Sequence, residues 1–230
     1  MAGRHYQGQS FAQTYHALVT REDYQHNLLG AILSISPLKG LEVLELGAGT
    51  GRVTHLIAPF AKTLYATDRS YSMLKMAKAF LKDLDPSNWH LAIADHQALP
   101  LKNESVDLVI SGWSFYRVAT GSKENWQTSV HNALSHIAQL MRPGGIIILI
   151  ESLGTGYEQP HPPDDVADYL AYLDNNGFER SWIRTDYCFK NLDEARELTG
   201  FFWEDSTFPF WETEAGVILP ECTGLWWKTL

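Results

Sequence analysis

A strand that runs straight into closely spaced glycines constrains this chain more than any other feature. Residues 41–46 form a buried-strand pattern, Gly47-Ala48-Gly49-Thr50-Gly51 follows at once, and Val53, Leu56, Ile57 and Phe60 then recur at helical spacing. Glycine admits positive φ and lets the backbone approach a ligand with no Cβ in the way. The N-terminus of the following helix is expected to offer free N–H groups and a partial positive charge, which suit a carboxylate or a phosphate. By itself the loop fits several nucleotide ligands, or a tight turn with none.

Its spacing narrows the choice. The dinucleotide fingerprint is Gly-x-Gly-x-x-Gly. Here the third glycine comes one residue early, at Gly51, and Arg52 stands in the fingerprint position. No Lys-Ser or Lys-Thr follows, so the loop is not a P-loop. Two carboxylates extend the pattern. Asp68 ends a second strand over residues 63–67, and Asp95 follows a third over 89–93. The first can accept hydrogen bonds from ribose hydroxyls and the second from an exocyclic amine, with Met73, Ala98 and Leu99 as apolar faces for a ring. Ligands of α/β sheets bind at C-terminal strand ends.

Helical and strand patterns continue to alternate, which specifies an α/β fold: a parallel sheet with helices on both faces. The spacing predicts helices over 21–33, from Ser70 to about residue 81, and from Trp126 to Leu140. It predicts further strands over 106–111 and 146–150, a Gly- and Pro-rich loop over 152–165, and a helix carrying Val166, Tyr169, Leu170 and Leu173. Residues 178–189 and 217–228 read as two late strands. Between them lie a helix opened by Asn191 and Glu194 and an aromatic stretch over 201–211. The whole of 1–230 reads as a single domain, with 1–36 as a helical cap and 190–216 as an inserted helical and aromatic segment.

Composition weighs against some partners. The net charge of −9 gives no electrostatic footprint for a phosphate backbone, so no nucleic-acid substrate is expected. Cys188 and Cys222 show no metal-ligand spacing and read as reduced, buried thiols. Residues 3–9 are polar and carry no apolar signal core, and the longest apolar run, 146–150, is too short to span a bilayer. A cytoplasmic location is expected.

The stretches 43–52, 64–74, 93–113 and 140–151 together resemble class I S-adenosylmethionine-dependent methyltransferases, most closely the small-molecule branch that includes the ubiquinone and menaquinone biosynthesis enzymes. The resemblance implies a Rossmann-like seven-stranded sheet with an antiparallel last strand, and S-adenosylmethionine as cofactor. It implies that Gly47, Ala48, Gly49, Thr50 and Gly51 hold the methionine part, that Asp68 holds the ribose, and that Asp95 with the His96 backbone holds the adenine. Glu45, Arg69 and Met73 complete the expected cofactor wall, Ser111 faces the transferred methyl, and Tyr15 closes over the cofactor carboxylate. Relatives often carry histidine where this chain has Tyr116, and Tyr-Asp where it has Tyr15-His16.

Trp113 and Tyr116 border the expected acceptor. Tyr116 and His16 are the candidate general bases, ahead of His161 and Glu151; His131 and His136 read as surface residues. The late aromatics either wall an apolar acceptor pocket or pack the insertion onto the sheet. The Asn/Asp-Pro-Pro-Tyr motif of methyltransferases acting on DNA bases and glutamine is missing after the fourth strand. The expected reaction is methyl transfer to a small-molecule acceptor, with oxygen or nitrogen ahead of carbon. A protein or RNA methyltransferase and a non-catalytic S-adenosylmethionine-binding protein are the alternatives.

Overall fold

The computed structural model describes residues 8–85, 87–121, 124–203 and 207–230. Residues 1–7 of the expected cap and 204–206 of the expected insertion lie outside the described residues.

Two helices open the chain, α1 (Gln9–Val19) and α2 (Asn27–Ile35). The βα alternation follows: β1 (Glu42–Leu46), α3 (Arg52–Ile57), β2 (Thr63–Asp68), α4 (Tyr71–Phe80), β3 (Trp89–Ile93), β4 (Val106–Gly112), α5 (Tyr116–Thr120), α6 (Trp126–Leu140) and β5 (Met141–Thr155). The last part holds α7 (Asp164–Asn175), β6 (Glu179–Arg184), β7 (Tyr187–Phe189), α8 (Leu192–Phe202), β8 (Trp211–Thr213), β9 (Gly216–Leu219) and β10 (Glu221–Thr229). Among the described residues no helix is long and apolar enough to cross a membrane.

Seven strands form one sheet in the order β3-β2-β1-β4-β5-β10-β6. The first five pair in parallel, and β10 runs antiparallel to both β5 and β6. The expected antiparallel last strand is therefore β10. One face of the sheet packs on α6 and α7 through Val130, Ile137, Leu140, Leu170 and Trp226. The other packs on α2 and α3 through Leu28, Ile32, Val53 and Ile57. Within each helix the buried residues recur at 3–4-residue spacing, as Val130, Ala133, Ile137 and Leu140 do in α6, so burial of an apolar stripe fixes its orientation.

Five sequence expectations are corrected. The predicted helix over 21–33 is a break followed by α2. Asp23 and His26 take left-handed backbone, and the Asp23 carboxylate accepts from the N–H groups of Asn27 and Leu28 at 2.8 and 3.1 Å, so Asp23 caps α2 from outside. The strand over 178–189 divides at Thr185-Asp186, and the strand over 217–228 divides at Pro220, which has no N–H to give to a ladder. The freed pieces β7 and β9 join β8 in a separate three-stranded sheet. The loop over 152–165 begins later than expected, because β5 continues to Thr155 against β10. Cys222 is buried but Cys188 is only half-buried.

The small sheet and α8 enclose their own core of Leu18, Tyr187, Phe189, Leu198 and Leu219, with Trp203, Phe208 and Phe210 against it. Most of the late aromatics thus pack the insertion. Phe201 meets α1, with its ring centroid 5.5 Å from Phe11, and Phe202, which also packs on that core, lies 5.9 Å from Tyr15.

Candidate cofactor and acceptor site

The glycine loop leaves β1 at the C-terminal edge of the sheet. Gly47, Gly49 and Gly51 all have positive φ. At Gly47 the need for glycine is also steric, since a Cβ there would lie 1.9 Å from Ser114 Oγ. The loop spends several of its donors on itself. Ala48 N–H donates to the Thr67 carbonyl at 2.8 Å, Gly51 N–H to the Ala48 carbonyl at 2.8 Å, and Gly49 N–H to Asp68 Oδ2 at 2.9 Å. Three of the five loop N–H groups are thus engaged, and α3 has only six residues. A pyrophosphate would need those donors. Beside the loop stand the carboxyl groups of Glu45, on β1, and Asp68, at the end of β2.

Glu45 is nearly fully buried and accepts from Thr54 Oγ1 at 2.6 Å. Burial pushes its carboxyl up to about 7, with the Asp68 charge adding to the effect and the Thr54 bonds opposing it. Asp68 accepts from Ser70 N–H at 2.7 Å through its other oxygen, so it ties the loop to the start of α4. Asp95 lies on the rim, accepts from Gln97 N–H at 3.0 Å and faces Arg69 Nε at 3.4 Å across an exposed ion pair. Met73 approaches the loop, its methyl carbon 3.8 Å from a Cβ placed on Gly49.

A cavity of about 20 Å³ lies between α1, the loop and the end of β4, bordered by Tyr15, Glu45, Gly47, Arg52, Gly112 and Trp113. Ala48 and Thr50 also border it. Trp113 has φ +50 and donates its N–H to the Ile150 carbonyl at 2.7 Å, which turns the chain sharply out of β4. Its ring lies under the Arg52 guanidinium, 3.7 Å from the centroid. Arg52 pairs with Glu22, both side chains being largely shielded from solvent. Glu22 comes from the α1–α2 break and also accepts from Thr185 Oγ1 at 3.3 Å.

Behind this pair lies Glu221, buried at the first position of β10, with Oε1 accepting from Ser152 Oγ at 2.5 Å. Burial and the nearby Glu22 charge push its carboxyl up to about 8, against the pull of the Ser152 and Thr155 hydroxyls. Neither Arg52 nor Glu22 carries a local motif signal. They lie 30 residues apart, and only the fold brings them together.

The two candidate bases separate. His16, on α1, shares a hydrogen bond of 3.1 Å between Nδ1 and Thr50 Oγ1 and meets the Phe80 ring edge-on, and burial lowers its pKa. Tyr116 is not among the residues that border the cavity. Its N–H donates to Glu151 Oε1 at 3.0 Å, an oxygen that also accepts from the Tyr169 hydroxyl at 3.2 Å. Burial pushes Glu151 up to about 8. Ser111 Oγ turns inward and donates to the Leu46 carbonyl at 3.3 Å. His96 is buried, with Nε2 2.9 Å from Ser114 Oγ. His161 stacks on Tyr157 with centroids 4.1 Å apart. His131 is exposed, whereas His136, expected on the surface, is half-buried.

Residues 44–149 match the family model described as a methyltransferase domain. The chain is 33% identical over 122 residues to a malonyl-[acyl-carrier protein] O-methyltransferase of Methylococcus capsulatus, covering 52% of this chain and 40% of that one. It is 30% identical over 192 residues to the protein of that name from Marinomonas sp., covering 82% of this chain and 64% of the relative. The chain thus spans less than two thirds of these relatives' length. A solved SAM dependent methyltransferase from Aquifex aeolicus superposes with a TM-score of 0.55 at 16% identity, covering 86% of this chain and 87% of the other. These matches agree with the Rossmann-like fold. The match to a methyltransferase domain over residues 44–149 spans the strands and loops that build the site.

Proposed function

We propose that this chain, whose residues 44–149 match a methyltransferase domain, is a class I enzyme that transfers the methyl group of S-adenosylmethionine to a small-molecule acceptor. The observation that carries this reading is the composition of the cleft. Three of its five loop N–H groups are engaged, while Glu45 and Asp68 offer carboxyl groups beside it. A ligand with an ammonium, a sulfonium and ribose hydroxyls fits that set, and a pyrophosphate does not.

In this reading residues 47–51 cradle the methionine end, Glu45 faces its ammonium, Asp68 takes the ribose, and Asp95 with the His96 backbone takes the adenine. When bound, the cofactor supplies an electrophilic methyl group on a sulfonium, open to in-line displacement. The protein's task is alignment, which contributes roughly 7–11 kcal/mol in well-oriented pairs. Tyr15, Phe11, Phe201 and Phe202, stacked between α1 and α8, would keep water from the cleft. Tyr116 and His16 stand as candidate bases, His16 being the one joined to the loop through Thr50.

The acceptor is read as a neutral or cationic molecule that attacks through an unprotonated oxygen or nitrogen, in keeping with the small-molecule branch whose quinone-biosynthesis members the motifs resemble. Glu22, Glu45 and Glu221 surround a single guanidinium that Glu22 already pairs. A carboxylate acceptor is the second reading, favoured by the position of Arg52 on the cavity wall and by the name of the malonyl relatives.

Calorimetry with S-adenosylhomocysteine and NAD, followed by labelled-methyl transfer to phenols, amines and carboxylic acids, tests the proposal. Asp68→Ala is expected to weaken S-adenosylhomocysteine binding by about 1–3 kcal/mol. Binding of NAD in its place would sink the cofactor reading. Transfer only to protein or RNA, or none to any acceptor, would sink the small-molecule reading.

A further inference from the structure

His96 and Ser114 leave different strands and meet over the glycine loop. His96 follows β3 and Ser114 follows β4, yet Nε2 lies 2.9 Å from Oγ and both side chains are buried. The imidazole lies nearly parallel to the Phe115 ring, with centroids 6.2 Å apart. Its other nitrogen, Nδ1, is shielded from solvent and has no hydrogen-bond partner among the described residues.

The far side of Ser114 presses on the loop. A Cβ placed on Gly47 would lie 1.9 Å from Ser114 Oγ, 2.3 Å from its Cβ and 3.5 Å from His96 Cε1. Gly47 is the residue the loop turns on, with φ +70, and glycine has the widest choice of backbone conformations. Something outside the loop must select one. A serine hydroxyl has three staggered orientations, and the bond to His96 holds the one that lies against Gly47.

We propose that His96 and Ser114 brace the glycine loop, so that His96 is a positioning residue that acts through Ser114 on the seat of the cofactor's methionine end. The inference rests on the S-adenosylmethionine assignment and is independent of the acceptor.

The brace has a preferred protonation state. A neutral imidazole satisfies Ser114 with one nitrogen and leaves the other dry. An imidazolium would place a charge and an N–H in a site that offers no acceptor. Burial is the largest influence and lowers the His96 pKa; Asp95 and Asp68 pull it up, while Arg69 and Arg117 push it down. The brace is therefore intact at neutral pH and is released at acid pH, below the ordinary histidine value of 6.5.

The test is the affinity of the full chain for S-adenosylhomocysteine across acid and neutral pH, measured by calorimetry alongside a thermal melt. Four proteins are compared: the parent, Ser114→Ala, His96→Leu and His96→Gln. At neutral pH Ser114→Ala and His96→Leu are expected to bind about 5- to 10-fold more weakly, the loss of one buried hydrogen bond, with folding retained. His96→Gln, whose amide can reach Ser114 but does not titrate, should bind within about 3-fold of the parent. The parent's affinity should fall at acid pH and that of His96→Gln should not.

Parent-like binding by both Ser114→Ala and His96→Leu would overturn the brace. So would an acid limb that persists in His96→Gln. A parent that does not bind S-adenosylhomocysteine at all would instead overturn the cofactor assignment, and the brace with it.

Discussion

The guanidinium of Arg52 lies 3.7 Å from the centre of the Trp113 ring while its N–H groups face Glu22. This contact joins the residue after the glycine loop to the residue that turns out of β4, and ties both to the N-terminal cap. Removing one partner of a largely buried ion pair strands the other charge. Arg52→Leu should therefore destabilise the fold by about 3–5 kcal/mol. In a chain of this size that lowers the melting temperature by about 10 °C. Adding Glu22→Gln should recover part of the loss, because no bare carboxylate is then left behind. Equal melting temperatures for the single and double variants would show that Glu22 is not the group Arg52 neutralises.

Glu151 makes stability fall as pH rises. Its carboxyl is pushed from 4.5 to about 8 by burial, so between those values the folded chain holds a proton that the unfolded chain has released. The stabilisation is full below the unfolded value, erodes by about 1.4 kcal/mol per pH unit above it, and levels off once pH passes the folded value. Glu221 adds a slope of the same sign, also ending at about 8. Glu151→Gln keeps an oxygen for Tyr116 N–H and the Tyr169 hydroxyl but does not titrate. Melts at acid and mildly alkaline pH should show the variant gaining on the parent as pH rises. A constant difference across that window would contradict the buried-acid account.

The cofactor's ammonium should draw a proton off Glu45. With its carboxyl near 7, Glu45 is partly protonated in neutral buffer, and a cation beside it favours the charged form. Calorimetric enthalpies of S-adenosylhomocysteine binding should then depend on the ionisation enthalpy of the buffer. The slope should correspond to release of a fraction of one proton, and Glu45→Gln should abolish it. Identical enthalpies in all buffers would place the ammonium elsewhere.

Much of the sheet was legible because local periodicity and local topology agree. β1, β2, β4, β5, α4, α6 and α7 each bury the stripe that their sequence spacing marks, and Asn191 caps α8 by accepting from Glu194 N–H, as its spacing suggests. Helix α1 was not legible, since Gln9–Val19 has three buried residues and packs on distant α4 and α8. The division at Thr185-Asp186 was hidden for a similar reason. Its cause is pairing with Glu221, whose carbonyl accepts from Thr185 N–H and whose N–H reaches Asp186. Pro220 was a visible signal that the apolar run around it masked. In the site, the loop and its carboxylates could be read from spacing. The contacts that shape them could not: Arg52 with Glu22 spans 30 residues and His96 with Ser114 spans 18.

Gly47 and Ser114 offer a direct reading of how the loop is held. Alanine at position 47 meets two separate obstacles. One is the left-handed backbone at φ +70, which costs roughly 1–2 kcal/mol for a residue with a Cβ. The other is the overlap of its Cβ with Ser114, at 1.9 Å from Oγ. Only the second depends on Ser114. Gly47→Ala should abolish S-adenosylhomocysteine binding and lower the melting temperature. Ser114→Gly in the same chain should restore stability in part and binding only weakly, because the steric overlap is gone while the backbone strain and the missing wall persist. A double-mutant cycle over the four proteins should give a coupling of about 1–3 kcal/mol in stability, the range for residues in contact. Additive effects would mean that the loop relaxes away from Ser114 without cost, and Ser114 would then not be the wall against which residue 47 is set.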